Sequence, residues 1–271
     1  MSGDDLFFSL NFREVREAML WAARNGSMMA VIGESGAGKS EIARDVIETI
    51  ESAEDQSIRV IQPKVIDKQK LTSSMITEAI IYDIAGKDAK VRRTTEGKER
   101  QAQTLLKESD RAGMRHVLII EEGHDLSIHT LKLLKRYWEI VTGHRHLLGI
   151  VLIAQPELQT KLDAYRYEAR ELINRLEIAT LDPLGADLDG YLEKKFKRVG
   201  KAMSEILAPD VCDTLRLKLR REEGKKQFSM VYPLRVNVDI TRAMNKAADL
   251  GMPMVTGKTI EALYPSTGKE A

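Results

Sequence analysis

The stretch VIGESGAGKSE, Val31 to Glu41, decides the fold of this chain. It holds Gly33, Gly36, Gly38, Lys39 and Ser40 in a G-x-x-x-x-G-K-S arrangement, with Glu34, Ser35 and Ala37 between and Glu41 behind. An apolar run, MMAVI, precedes it, and EIARDVIETIE follows. Strand, glycine loop and helix in that order is the context of a phosphate-binding P-loop. Glycines let the backbone turn sharply and bring its N–H groups against phosphate oxygens. The helix N-terminus adds its positive dipole end. Lys39 is expected to reach the β- and γ-phosphates of ATP, and Ser40 to ligate Mg²⁺. Average residue frequencies place this pattern by chance in roughly one such chain in a hundred. The flanking strand and helix make a mere tight turn rarer still.

A second run, HVLIIEEGHDL from His116 to Leu126, carries Val117, Leu118, Ile119 and Ile120 and ends in two acids. Central parallel strands read as continuous apolar runs of this kind. In nucleotide hydrolases the first acid at such a strand end holds the metal shell, and the second polarises the attacking water. Those roles fall on Glu121 and Glu122. The usual first acid is aspartate, and Glu121 is one methylene longer.

With 271 residues and 43% hydrophobic content, the chain can build a nucleotide-binding core and a smaller appended domain. A formal net charge of +1 creates no global field toward nucleic acid. The single cysteine, Cys212, excludes an internal disulfide and a cysteine metal cluster. His144 and His146 flank Arg145 in an expected loop, without metal-ligand spacing. The N-terminus, MSGDDLFFSLNF, lacks the basic start and apolar core of a secretory signal. No apolar run approaches the roughly 18 residues of a membrane span. The expectation is a cytoplasmic protein without a membrane partner; if phage-encoded, its place is the bacterial host cytoplasm.

Outward from these motifs, strands alternate with helices. Asn11 is expected to N-cap a helix through Asn25 with Glu14 completing a capping box, with Phe12, Val15, Met19 and Ala22 inward and Gly26 as its stop. IRVIQP from Ile58 reads as a strand stopped by Pro63. Helices are expected over Leu71–Ile84, Thr95–Ala112 and Ile128–Val141, the last with Leu131, Leu134, Trp138 and Val141 on its core stripe. HLLGIVLIAQPEL is another buried strand, finished by Gln155. A helix around Leu172 and a short strand, LEIATL, come next. This alternation predicts an α/β fold, a parallel sheet flanked by helices. From Leu184 no strand-like run is visible. The expected division is an α/β core over 1–183 and a helical lid over 184–271, with a polar tail after Tyr264.

At this point the residues resemble the AAA+ ATPases, and within them the DNA transposition ATPases typified by phage Mu B, with related motifs in the ExeA-type secretion ATPases. The landmarks GIVLIAQPEL, NRLEIATLDPL, YLEKKFKRVG and YPLRVNVDITRAMNKAA carry that resemblance over about Asn11 to Leu263. It implies a sensor of the γ-phosphate at Gln155. It implies an arginine finger at Arg175, with Arg170 as the alternative, and a second sensor at Arg235 in the lid. A finger supplied across an interface implies a homo-oligomer, ring or helical filament. The Mu B-type N-terminal DNA-binding domain is expected to be missing, since the first core helix begins near Asn11. DNA contact is then expected from the core. The function implied is an ATPase that assembles on duplex DNA as the target-selection partner of a transposase, with hydrolysis driving disassembly. The alternatives are an ExeA-like secretion ATPase and a nucleotide-regulated binding module with negligible turnover. The first is weakened by the lack of a membrane-anchored or peptidoglycan-binding segment.

Local charge hides beneath the neutral total. KDAKVRRTTEGK, with Lys90, Arg92, Arg93 and Lys98, is the most basic loop. A second candidate is the helix face of Lys132, Lys135 and Arg136. No aromatic alternates with these cations, so any DNA contact is expected at phosphates and independent of sequence. A third cluster lies in the lid: Lys194, Lys195, Lys197, Arg198 and Lys201, then Arg216, Lys218, Arg220, Arg221, Lys225 and Lys226.

Overall fold

The computed structural model describes residues 6–52, 57–224 and 226–264, with only the backbone of Lys226. The first five residues, the tail after Tyr264, and Lys225 and the Lys226 side chain of the lid cluster lie outside the described residues. The chain falls into two compact units. The larger is Leu10–Glu34 with Lys39–Leu181; the smaller combines the residues before Leu10, Ser35–Gly38 and the chain from Asp182.

In the larger unit, strands β1 (Met28–Ile32), β2 (Ile58–Ile61) and β3 (Arg115–Ile120) precede a small antiparallel hairpin, β4 (Val141–Thr142) and β5 (Arg145–His146). β6 (Gly149–Ala154) and β7 (Glu177–Thr180) follow. Apart from the hairpin, the strands form one parallel sheet in the order β2-β3-β6-β1-β7. The apolar runs fill its centre: every residue of β1 and β6 is buried. The edge strand β7 leaves Ile178 exposed.

Helix α1 (Leu10–Asn25) buries Phe12, Val15, Met19 and Ala22, and Gly26 at φ 72° ends it. Asn11 is not its cap. The helix starts one residue earlier, and the Asn11 side-chain amide instead donates to the Thr180 carbonyl at 3.0 Å, tying the first turn to the edge strand. Helix α2 (Lys39–Glu51) begins inside the P-loop. Helices α3 (Ser73–Ala85), α4 (Thr95–Arg111) and α5 (Ile128–Trp138) each start at a hydroxyl cap. Thr72, Thr94 and Ser127 accept from the backbone N–H of Met75, Gly97 and Thr130, satisfying one of the free donors at each helix start.

The expected extension of α5 to Val141 is wrong. Val141 is exposed and pairs with His146 across the hairpin. Gly143 at φ 62° makes the turn. It brings His146 back onto Trp138, with rings 3.8 Å apart and stacked, while the indole N–H donates to the Gly26 carbonyl at 2.6 Å. Between β6 and β7 stand two short helices, α6 (Glu157–Ala164) and α7 (Arg170–Ile173), where one was expected.

The smaller unit contains α8 (Leu188–Arg198), α9 (Met203–Ile206) and α10 (Val211–Lys218). It is not purely helical, contrary to expectation: strands β8 (Arg220–Glu223) and β9 (Lys226–Ser229) form an antiparallel hairpin. Strand β8 is wholly exposed and charged, which erased the apolar alternation that marks a strand in sequence. Met230 N–H donates to the carbonyl of buried Leu219 at 2.8 Å, anchoring the hairpin to the end of α10. Helices α11 (Pro233–Asp249) and α12 (Gly257–Glu261) complete it, and Val236, Ile240, Ala243 and Ile260 pack with Leu188, Val211 and Leu215 in one core.

Candidate active site

Three neighbouring strands carry the candidate residues on their carboxyl ends. The order β3-β6-β1 places Glu121 and Glu122, then Gln155, then the glycine loop side by side. Pairing of Ile120 with Leu152 and of Ile32 with Ala154 keeps those ends within two residues of level. The Gly33 N–H donates to the Ala154 carbonyl at 3.2 Å and ties the loop's first residue to β6. In open parallel sheets, ligands bind in the crevice at these carboxyl ends.

The loop has the backbone that phosphate binding needs. Gly36 at φ 79° and Gly38 at φ 100° occupy conformations that side chains rarely adopt. At Gly36 a Cβ would also collide with the Leu234 side chain. The Lys39 ammonium donates to the carbonyls of Gly33 at 2.7 Å and Glu34 at 2.9 Å. Burial lowers its pKa below the ordinary lysine range, against the opposing charges of Glu122, Glu34 and Glu157. A desolvated cation resting on loop carbonyls is suited to exchange them for phosphate oxygens. Ser40 Oγ donates to Glu121 Oε2 at 3.2 Å. Two oxygens of the kind a hard cation takes thus face each other, and the longer glutamate still reaches the serine. Glu41 stands in the first turn of α2, and Ala37 is buried in the loop. The donor set fits Mg²⁺ and a nucleoside triphosphate.

Glu122 is held unusually. It sits at φ 54° and ψ 39°, the left-handed region, just before a short 3₁₀ turn over Gly123–Asp125. Its half-exposed carboxylate lies 3.5 Å from His124 Nε2. The backbone N–H of Gln155 donates to His124 Nδ1 at 3.3 Å, and the Gln155 side-chain amide lies 3.4 Å from Nε2. Neither His124 nor Lys161 was singled out from sequence. Lys161, on α6, donates to the carbonyl of His124 and, at 2.8 Å, to that of Leu126. Position alone marks His124, two residues past the second acid. Lys161 had no signal, because α6 was unforeseen.

The remaining candidates fall apart into separate settings. Arg175 lies on the surface after α7, 3.2 Å from Glu139 and with its guanidinium 5.5 Å from the Trp138 ring centre. Arg170 starts α7 and is exposed. In the smaller unit, Arg235 Nε donates to buried Asp239 at 3.1 Å and the guanidinium stands 5.8 Å from the Tyr264 ring centre. Tyr264 also donates to Asp239. The neighbouring Leu234 N–H donates at 3.2 Å to the carbonyl of Gly36, a loop residue of the same unit.

The basic residues divide as well. Lys90, Arg92 and Arg93 are exposed between α3 and α4 and form no ion pair among the described residues. Gln101 braces their backbone, accepting from Arg92 N–H at 3.0 Å and donating to the Lys90 carbonyl at 3.0 Å. Lys98 is instead tied to Glu78 at 2.5 Å and to Ser74. Lys132 pairs with Glu168 at 3.3 Å, and Lys135 with Glu171 at 2.5 Å and Glu139 at 3.0 Å. Arg136 is exposed. Among the described residues, no helix is long and apolar enough to cross a membrane.

Residues 23–162 match the AAA-domain family. The chain belongs to that family. This AAA-domain protein is also 25% identical over 192 residues to General secretion pathway protein A of Aeromonas hydrophila, a match covering 70% of the chain. It spans only 33% of that relative's length. Among solved structures it is similar to the Aeropyrum pernix ORC2 protein in its ADPNP-ADP complexes, at 14% identity and TM-score 0.55, over 93% of this chain and 65% of that one. It is likewise similar to the Aeropyrum pernix ORC1 protein in complex with DNA, at 16% identity and TM-score 0.56, over 93% and 63%. Drosophila ORC bound to DNA matches at 16% identity and TM-score 0.56, over 93% and 59%. These likenesses establish the P-loop AAA+ fold of the sheet and its flanking helices.

Proposed function

We propose that this AAA-domain protein is a Mg²⁺-dependent ATPase that assembles on duplex DNA in its ATP-bound form and serves a transposase as target-selection partner, with hydrolysis ending the assembly. The observation that carries the ATPase reading is the juxtaposition at three adjacent strand ends of Lys39, the Ser40–Glu121 pair, Glu122 and Gln155. When bound, Mg²⁺ supplies charge neutralisation across the β- and γ-phosphates, with Ser40 and Glu121 as its protein ligands. Lys39 neutralises the same phosphates, and the loop N–H groups from Gly33 to Glu41 hold them in place. Glu122 takes the proton of the attacking water. Gln155 senses the γ-phosphate, Arg235 is the second sensor, and Arg175 acts in a neighbouring copy's site. In this reading Arg175 leaves Glu139 to do so; Arg170 is the alternative finger.

For DNA, the supporting observation is the exposed trio Lys90, Arg92 and Arg93 on a braced loop, without ion pairs among the described residues. Lys98, Lys132 and Lys135 are already neutralised by carboxylates, so they rank below that trio, and Arg136 is the cation of its helix face that no described carboxylate neutralises. Two proteins of this fold, Aeropyrum pernix ORC1 and Drosophila ORC, occur in complexes with DNA, in keeping with this reading. The transposase rests on the resemblance of the landmarks from GIVLIAQPEL onward. The relationship to General secretion pathway protein A favours a second reading, a secretion-associated ATPase. Measuring ATP turnover with and without duplex DNA separates them. Stimulation by DNA is expected. Turnover that DNA neither stimulates nor accompanies by binding favours the secretion reading, and no turnover leaves a nucleotide-regulated binding module.

A further inference from the structure

We infer that His124 is a positioning residue that passes the state of Gln155 to Glu122. The inference deepens the ATPase reading and rests on it. The Gln155 backbone N–H donates to Nδ1, so in the neutral ring the hydrogen resides on Nε2. That single N–H faces two acceptors. One is Glu122 Oε2 at 3.5 Å; the other is the Gln155 side-chain amide at 3.4 Å, once its oxygen is turned toward the ring. The ring itself is a fixed post. Its side chain is largely buried, and Lys161 pins its carbonyl together with that of Leu126. Its two partners are freer: Glu122 is half-exposed, and an amide rotates about its terminal bond.

The competition has a consequence for the base. A hydrogen bond from Nε2–H to Oε2 holds that oxygen against the ring and keeps the carboxylate from turning to a water. When the Gln155 NH₂ group turns toward a phosphate, its oxygen turns toward His124 and takes that N–H. Glu122 is then released to act on water. When Gln155 is disengaged, the N–H falls to Glu122 and holds it back.

The test is a set of replacements in the full chain, read as kcat and ATP Kd: His124→Phe, which keeps the ring volume without nitrogens; His124→Gln, which keeps a donor; Gln155→Ala; and the doubles. Gln155→Ala should lower kcat about tenfold, because Glu122 stays held. Adding His124→Phe should raise it again by about threefold or more, with ATP Kd unchanged within about threefold, since residues in one network are not additive. Adding His124→Gln instead should give no such recovery. A merely structural histidine would make the losses multiply, and that result overturns the inference, as does recovery with both replacements. If His124→Phe fails to fold, the comparison of His124→Gln and His124→Ala on the Gln155→Ala background decides, with recovery expected for alanine alone. Glu122→Gln and the unaltered protein serve as references. Equal, negligible turnover in those two removes the ATPase reading and the inference with it. A turnover that Glu122 supports, with losses that multiply, removes the inference alone.

Discussion

Replacing Glu122 by glycine and, separately, by alanine divides its chemistry from its backbone. Glu122 is the one non-glycine residue at positive φ among the described residues. The left-handed conformation costs a residue with a Cβ about 1–2 kcal/mol. Glycine adopts it freely but loses about 0.5–1 kcal/mol more conformational entropy on folding. Both replacements delete the same half-exposed carboxylate and its 3.5 Å approach to His124, so those terms cancel between them. The difference leaves the glycine variant more stable than the alanine variant by roughly 0.5–1 kcal/mol. That reverses the order inside helices, where alanine is better by about 0.8–1 kcal/mol. Urea midpoints without nucleotide measure it, and melting temperatures should differ by a few degrees. ATP turnover should fall in both by about 100-fold or more, the loss of a general base. An alanine variant as stable as the glycine variant would refute the left-handed backbone and the strain assigned to it.

Lys39→Ala should weaken ATP binding by about 10- to 100-fold, the loss of one charge-assisted bond of ~1.5–3 kcal/mol; calorimetry that finds unchanged affinity in the folded variant would remove Lys39 from the phosphate site. Joint replacement of Lys90, Arg92 and Arg93 by alanine should weaken DNA binding alike for unrelated sequences. It should also reduce the slope of log K against log salt by up to about 2.7, at ~0.9 for each phosphate no longer neutralised. Unchanged affinity would shift the DNA surface to Arg136. Buried His116 provides a pH test: burial pushes its imidazole down to about 4, with the Leu147 carbonyl and Asp110 opposing and Arg59 assisting. The unfolded chain takes that proton near 6.5 and the native protein only near 4, so His116 costs nothing above 6.5. As pH falls toward 4 it removes up to about 3 kcal/mol of stability. His116→Gln should make the fall of unfolding free energy across that window shallower, and equal slopes would show that the imidazole titrates normally.

The buried central strands and the starts of α4 and α5 were legible in the sequence, whereas the cap expected for α1 at Asn11 was not borne out. MMAVI, HVLII and GIVLIA are central strands because their apolar runs are covered on both faces, and Thr94 and Ser127 mark helix starts by local hydrogen bonds alone. The two hairpins were not legible. Val141 continued the helical spacing of Leu134 and Trp138, but beyond the turn His146 both pairs with Val141 and stacks on Trp138, and the helix ends at Trp138. In β8 every side chain is exposed, so no periodic burial exists to be read.

For the candidate site, residue types at fixed spacing singled out Lys39, Ser40, Glu121 and Glu122, since they lie in one loop and at one strand end. What spacing cannot supply is the pairing of charges across elements. Lys132 and Lys135 look like a basic helix face in the sequence, yet Glu168 and Glu171, 36 residues away, neutralise them from the segment around α7. Lys90, Arg92 and Arg93 have the same composition and the opposite situation, because their loop is held by Gln101 through backbone atoms and leaves the cations unspent. A charge run therefore becomes evidence for a polyanion only after the carboxylates folded against it have been counted. That count leaves the loop between α3 and α4 as the stronger of the two surfaces.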